Sequence, residues 1–284
     1  MEIRSFETMV GDVRIHSLQA GTGERDVVLF HGGGTDSAKL SWADLILPLA
    51  EAGLRVTAPD QPGFGESDRP DVLYTFKWMT DFAHQYLDAL ELRNPMLGGI
   101  SMGGAIVMGL ALAEPKRFPK LVLFGPYGIQ DKAPQHFLSY QMVRMPGVME
   151  KVWKTYANKD ILRPKDLANV FHDSEKAATQ EILDGVLEEA KRTYCGRAFT
   201  RMQRDDIRPK DVKTNFTDRL GELEMPVLIV HGEHDAGVPL HYAEEAAALL
   251  PRGRLEVIRG AGHWVQREKP AEVNPLVISF LADA

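Results

Sequence analysis

The chain has 284 residues, 44% of them hydrophobic and 26% charged, with a formal net charge of -7. That length suits one α/β domain with an insertion or two small domains, and the negative sign counts against a nucleic-acid partner. No stretch approaches the roughly 20 apolar residues of a membrane span, the first ten residues hold no apolar signal core, and Cys195 is the single cysteine. The expectation is a cytoplasmic protein with no membrane segment and no internal disulfide, in which Cys195 is a structural thiol.

From the start of the chain, Phe6 to Leu18 alternates around Gly11-Asp12 and reads as a hairpin. Val27 to Phe30 is a continuous apolar run, the pattern of a strand buried on both faces. It ends in His31-Gly32-Gly33-Gly34, where glycines let the backbone approach a ligand. Ser41 to Glu51 is an amphipathic helix with Pro48 as an irregularity, and Leu54 to Pro59 is a further strand. Asp60 to Ser67 is a loop dense in turn formers, in which Asp60 is expected to tie down the turn by local hydrogen bonds. Thr75 to Leu90 is a helix.

The stretch Leu97 to Gly104 carries Gly99-Ile100-Ser101-Met102-Gly103, a G-x-S-x-G pattern between a short strand and the apolar helix Ala105 to Ala113. That context is what a nucleophile elbow needs: a sharp turn that lifts Oγ clear, with glycines where side chains would collide. Phe118 to Phe124 gives the next strand. From Gly128 to Gly221 helical patterns follow at His136 to Arg144, Val148 to Tyr156, Pro164 to Phe171, Glu175 to Arg192 and Arg197 to Arg204. Sheet order returns at Pro226 to Val230, followed by a helix at Tyr242 to Leu250, a strand at Arg254 to Ile258 and a helix at Pro270 to Leu281. Alternating strands and helices imply a mostly parallel sheet with helices on both faces. The expected division is a core of residues 1–128 and 222–284 and a helical cap of residues 129–221 that roofs a crevice.

A serine hydroxyl needs a neutral imidazole as base and an acid to fix its tautomer. In the usual order for this motif the acid and then the base follow the serine, in loops after strands. The loop after Val230 offers Asp235 and the loop after Ile258 offers His263, preceded by Gly260-Ala261-Gly262. Ser101, Asp235 and His263 are therefore the candidate triad. Backbone N–H groups of Met102 and Gly33 are the candidate oxyanion donors. Gly32, Gly34, Ile100 and Trp264 are candidate pocket residues. His231 and His234 are taken as structural, since no third ligand with suitable context accompanies them, and no metal or cofactor is expected. Phe137, Leu138, Tyr140, Met142, Met145 and Trp153 fit either an acyl pocket or the core of the cap. Arg197, Arg201 and Arg204 share a helix face, read as a solvated basic face rather than a carboxylate receptor.

The motifs HGGG, DQPGFGESDRP, GISMGG, HGEHDAGVP and GAGHW span nearly the whole chain outside the cap. In this order they resemble the α/β-hydrolase fold superfamily, and within it the branch of meta-cleavage product hydrolases and related esterases. The resemblance implies the α/β-hydrolase fold, a helical cap inserted before the strand that precedes the catalytic acid, and a small-molecule substrate. Two departures stand out: the branch generally has asparagine where this chain has Ile100, and W-x-N where it has Trp42-Ala43-Asp44. On those departures the expected activity is hydrolysis of a small carboxylic ester through an acyl-enzyme on Ser101. C–C hydrolysis of a meta-cleavage-type dienoic acid is the alternative, and a non-catalytic small-molecule receptor is the alternative of another class. The oligomeric state is left open.

Overall fold

The structure is a computed structural model and describes residues 1–158 and 161–283. Strands Arg4–Val10 (β1) and Val13–Ala20 (β2) pair antiparallel across a turn at Gly11, which has φ +58°. Arg25–Phe30 (β3) follows, then helices Ala38–Trp42 (α1) and Ile46–Glu51 (α2), strand Leu54–Pro59 (β4) and helix Phe76–Ala89 (α3). Met96–Ile100 (β5) leads into Met102–Ala113 (α4), and Leu121–Phe124 (β6) completes the first half. Next come His136–Arg144 (α5), Val148–Tyr156 (α6), Ser174–Ala177 (α7), Gln180–Lys191 (α8) and Arg197–Asp206 (α9). Val227–Gly232 (β7), Leu240–Leu249 (α10), Gly253–Ile258 (β8), Val265–Glu268 (α11) and Pro270–Ala282 (α12) close the chain.

The eight strands form one sheet in the order β1-β2-β4-β3-β5-β6-β7-β8, antiparallel at the β1 and β2 edge and parallel from β4 onward. Helices cover both faces. Val28 and Phe30 of β3 join the core containing Met79, Phe82 and Ile106, from α3 and α4, while Val27 and Leu29 join the core of Trp42, Leu49 and Val277 on the other face. All four residues are buried, as their unbroken apolar run requires. The chain runs from β3 outward to β4, then returns to the far side of β3 with β5. This reversal opens a crevice beyond the carboxyl ends of β3 and β5, where open α/β sheets bind ligands.

Three predicted helices are shorter than their patterns. Ser41 to Glu51 is not one helix: α1 ends at Trp42 and α2 starts at Ile46. Pro48 has no N–H to reach back to Asp44, and that carbonyl instead accepts from Asn274 Nδ2 at 2.7 Å. Glu175 to Arg192 is split into α7 and α8, because Thr179 is extended and its hydroxyl caps the Ile182 N–H. Pro164 to Phe171 keeps only a 3₁₀ turn at Pro164–Leu167.

The segment between β6 and β7 carries α5 to α9. Val143, Met149, Ile207 and Val212 form a small apolar cluster of its own. Ile182 and Val186 of α8 pack with Leu40 of α1. Among the described residues, no helix is long and apolar enough to cross a membrane.

Candidate active site

Ser101 stands between β5 and α4 with φ +51° and ψ -116°, a conformation that costs a non-glycine residue about 1–3 kcal/mol. The surroundings hold it there. Its N–H donates to the Phe124 carbonyl at 3.0 Å, and its own carbonyl accepts from Tyr127 N–H at 3.0 Å and Ala105 N–H at 3.2 Å. Gly99 and Gly103 are required by contact rather than by their own backbone angles. A Cβ at Gly99 would strike the Gly103 backbone, and one at Gly103 would strike the Phe30 carbonyl. The strand and helix thus approach closely enough to raise the serine above the turn.

His263 and Asp235 meet as the loop positions suggest. His263 Nδ1–H donates to Asp235 at 2.8 and 2.9 Å, and Asp235 Oδ1 also takes the N–H groups of Gly237 and Val238, each at 2.8 Å. Burial works against the Asp235 charge. The facing His263 and these N–H donors outweigh it, so its pKa lies below the ordinary carboxylate value. Burial also works against a charged His263, but the Asp235 carboxylate more than offsets that and raises the imidazole above 6.5. Gly125, at φ +42°, faces this pair; a Cβ there would lie 2.6 Å from Asp235 Oδ2.

The glycine loop after β3 is fixed by two side chains. His31 is buried, with Nδ1–H donating to the Gly32 carbonyl at 2.7 Å and Nε2 accepting from Gln61 N–H at 2.9 Å. Asp36 is buried and takes three donors: Gly32 N–H at 2.8 Å, Ser37 N–H at 2.8 Å and Ser41 Oγ–H at 2.7 Å. Burial pushes the Asp36 pKa up. With its N–H given to Asp36, Gly32 has none left to offer a substrate. Among the described residues, Gly33 N–H has no partner, and neither does Met102 N–H at the head of α4, ahead of the helical ladder.

Ser101, His263, Met102, Gly32, Gly33, Gly34 and Trp264 all line one cavity of about 490 Å³. Its remaining wall is largely apolar, including Phe199, Met202, Met149 and Trp153 from the helical segment. Phe199 lies directly over Gly33, and Trp153 covers Gly34 with its Nε1–H bonded to Thr200 at 2.9 Å. Ile100 is not on that wall. It is fully buried in the sheet core behind Gly32, because side chains alternate along β5 and its own joins the core of Trp42 and Phe124. Asp44 is also elsewhere, paired with buried Arg267 at 2.5 Å.

Several other expectations have definite outcomes. Of Phe137, Leu138, Tyr140, Met142, Met145 and Trp153, which fitted either an acyl pocket or the cap core, Trp153 alone is on the cavity wall. Phe137, Leu138 and Met145 are exposed, and Tyr140 and Met142 pack on the small apolar cluster. Arg197, Arg201 and Arg204 are neither free nor in the cavity. They bond to the Arg69 carbonyl, to Asp71 and to the Val143 carbonyl. Asp60 holds its loop through Ala38 N–H and Glu66 N–H and pairs with His16 at 2.9 Å. His231 is buried under Asp235 and donates to the Val238 carbonyl at 2.7 Å, while His234 stacks on His172. Burial pushes the Cys195 thiol up to about 11, which makes it a poor nucleophile.

Two supporting residues escaped the motif reading. Asp36 sits among small polar residues with no fixed spacing to the glycines. Glu268 accepts from Gly262 N–H at 2.6 Å and from His172 and Asp173 N–H at 3.0 and 2.8 Å, joining the His263 loop to the helical segment. Its position five residues after His263 was the available signal.

Fold and site together define a hydrolase of the α/β type. Residues 27–276 match the model of the alpha/beta hydrolase family, and the chain belongs to that family. It is 31% identical to the 2-hydroxy-6-oxo-6-phenylhexa-2,4-dienoate hydrolase of Burkholderia cepacia, over 98% of this chain and 94% of that protein. It is 30% identical to the 2-hydroxy-6-oxononadienedioate/2-hydroxy-6-oxononatrienedioate hydrolase of Comamonas testosteroni, over 98% and 94%. Among solved structures it resembles the meta-cleavage product hydrolase of Pseudomonas fluorescens, with TM-score 0.82 and 25% identity over 97% of this chain and 96% of that one.

Proposed function

We propose that this chain is a serine hydrolase that cleaves the C–C bond beside the 6-oxo group of a meta-cleavage-type dienoic acid. The observation that carries this reading is end-to-end similarity, at about 30% identity, to hydrolases named for such substrates. The two departures that favoured an ester lose their force. Neither Ile100 nor Asp44 faces the cavity, so neither decides what the cavity holds.

In this reading Ser101 is the nucleophile, His263 the base and Asp235 the group that fixes the imidazole tautomer. The dienol is first converted to its keto form by moving a proton along the chain. Ser101 Oγ then attacks the 6-carbonyl as His263 takes its proton. The N–H groups of Gly33 and Met102 receive the oxyanion, as the bonding of Gly32 to Asp36 supports. The C–C bond breaks, the carbon leaving group takes the proton from His263, and water activated by His263 releases the acid. The helical segment acts as a cap, with Phe199 and Trp153 closing the cavity over the glycine loop.

Ester hydrolysis is the second reading. One observation favours it: among the described residues lining the cavity there is no Lys or Arg to receive a dienoate carboxylate. The deciding experiment compares specificity constants for decay of a 6-phenyl dienoate chromophore and for a series of short p-nitrophenyl esters. A higher constant for the dienoate supports C–C cleavage; a higher constant for the best ester overturns it.

A further inference from the structure

We propose that Tyr127 and Asp206 form a second recognition point in the cavity, which accepts a neutral or hydrogen-bond-donating end of the substrate and rejects an anionic one. The inference rests on the hydrolase reading of Ser101 and holds for either bond.

Tyr127 is tied to the nucleophile turn, since its N–H donates to the Ser101 carbonyl at 3.0 Å. Its ring stacks on Phe76, with centroids 5.2 Å apart, and its hydroxyl donates to Asp206 Oδ2 at 2.5 Å. Asp206 closes α9, 1% exposed, and its Oδ1 takes Thr214 N–H at 2.8 Å. All of this lies in the cavity wall among Met202, Ile207 and Phe76. A carboxylate has about four acceptor positions. Three are filled here, by the Tyr127 hydroxyl, the Thr214 N–H and the Thr214 hydroxyl, so what remains is one acceptor position in an apolar wall.

Asp206 is the one carboxylic acid among the described lining residues, and no Lys or Arg accompanies it. The arginines of α9 are turned outward to the Arg69 carbonyl, Asp71 and the Val143 carbonyl. An anionic substrate end beside Asp206 meets either like-charge repulsion in a poorly screened site or the need to load a proton on the acid. Both weaken binding. A hydroxyl, an amide N–H or an ammonium meets neither obstacle.

The test uses sets of three p-nitrophenyl esters that differ at one end, with the acyl chain ending in a carboxylate, its methyl ester or a hydroxyl. A second series places the same three ends on the alcohol of an alkyl ester. In at least one series, kcat/KM for the neutral members should exceed that for the anionic member by tenfold or more. In Asp206→Asn that ratio should fall to within about threefold. Because it is read within one variant, a general loss of activity cancels. Tyr127→Phe, which keeps the ring and the acid, should retain the discrimination. Equal turnover of anionic and neutral members by the unaltered protein in both series overturns the inference without needing any variant to fold, and so does an unchanged ratio in Asp206→Asn. If Ser101→Ala still turns over the neutral ester, the hydrolase reading itself has failed.

Discussion

Replacing Asp36 probes the glycine loop without removing a bond to Ser101 or to the cavity wall, although its charge also helps Asp235 hold the His263 pKa up. Asp36→Ala removes three buried hydrogen bonds, to Gly32 N–H, Ser37 N–H and Ser41 Oγ. Bonds to a charged group contribute about 1.5–3 kcal/mol each. The buried acid, whose pKa is raised, also carries a desolvation cost that the alanine relieves. The net loss should be about 2–3 kcal/mol, or roughly 5–10 °C in Tm at about 2–4 °C per kcal/mol. The larger effect is on rate. Once Gly32 N–H is released the loop can turn, and Gly33 N–H leaves the position where it would meet an oxyanion. Loss of one such donor costs on the order of 10²–10³ in kcat. KM should change by a few-fold at most, because Asp36 does not line the cavity. Asp36→Asn keeps an acceptor for Gly32 N–H and should lose about tenfold or less. The assay is p-nitrophenyl acetate turnover with circular dichroism to confirm the fold. A folded Asp36→Ala protein with kcat within threefold of the unaltered one refutes the reasoning, as does an equal loss in both variants.

The base must be neutral to accept a proton. Since His263 is held above 6.5 by Asp235, kcat/KM should rise with pH through an apparent pKa above 6.5, and a pH–rate profile checks this. Asp235→Asn should cost about 10⁴ in kcat, because the amide favours the wrong tautomer; a mild loss in single-turnover assays would remove the acid role from Asp235. Arg201→Ala breaks bonds to Asp71 and the Val72 carbonyl at the protein surface. It should lower Tm by no more than a few degrees and leave KM for acidic and neutral substrates in the same ratio.

The parts of this molecule that were legible in its sequence are those where one residue type does one thing. Unbroken apolar runs at Val27 to Phe30 and Val227 to Val230 have no other place than a central strand, and the glycines around Ser101 mark a contact too close for any side chain. The loops after Val230 and Ile258 hold Asp235 and His263, which the structure brings within hydrogen-bond distance. What the sequence hid depends on partners distant in the chain. Pro48 marked the break between α1 and α2, but the Asn274 side chain that takes the freed Asp44 carbonyl lies 230 residues away, and the glycine loop is fixed by a carboxylate whose spacing follows no motif. Ile100 was misplaced for a different reason. Adjacency to the nucleophile suggests adjacency to the substrate, but the strand pleat turns successive side chains to opposite faces. The helical segment was legible as helices and not as surfaces, since Phe137 and Trp153 have similar patterns yet Phe137 is exposed while Trp153 is half-buried on the cavity wall.

The central claim is that Ser101 is the nucleophile, and the most direct measurement is covalent capture. The protein is treated with a serine-directed phosphonate, digested, and the modified peptide sequenced by mass spectrometry. The account predicts one adduct per chain, on Ser101, with activity lost in step with labelling and no adduct on Ser101→Ala. An adduct on another residue, or full activity after complete labelling of Ser101, would contradict it.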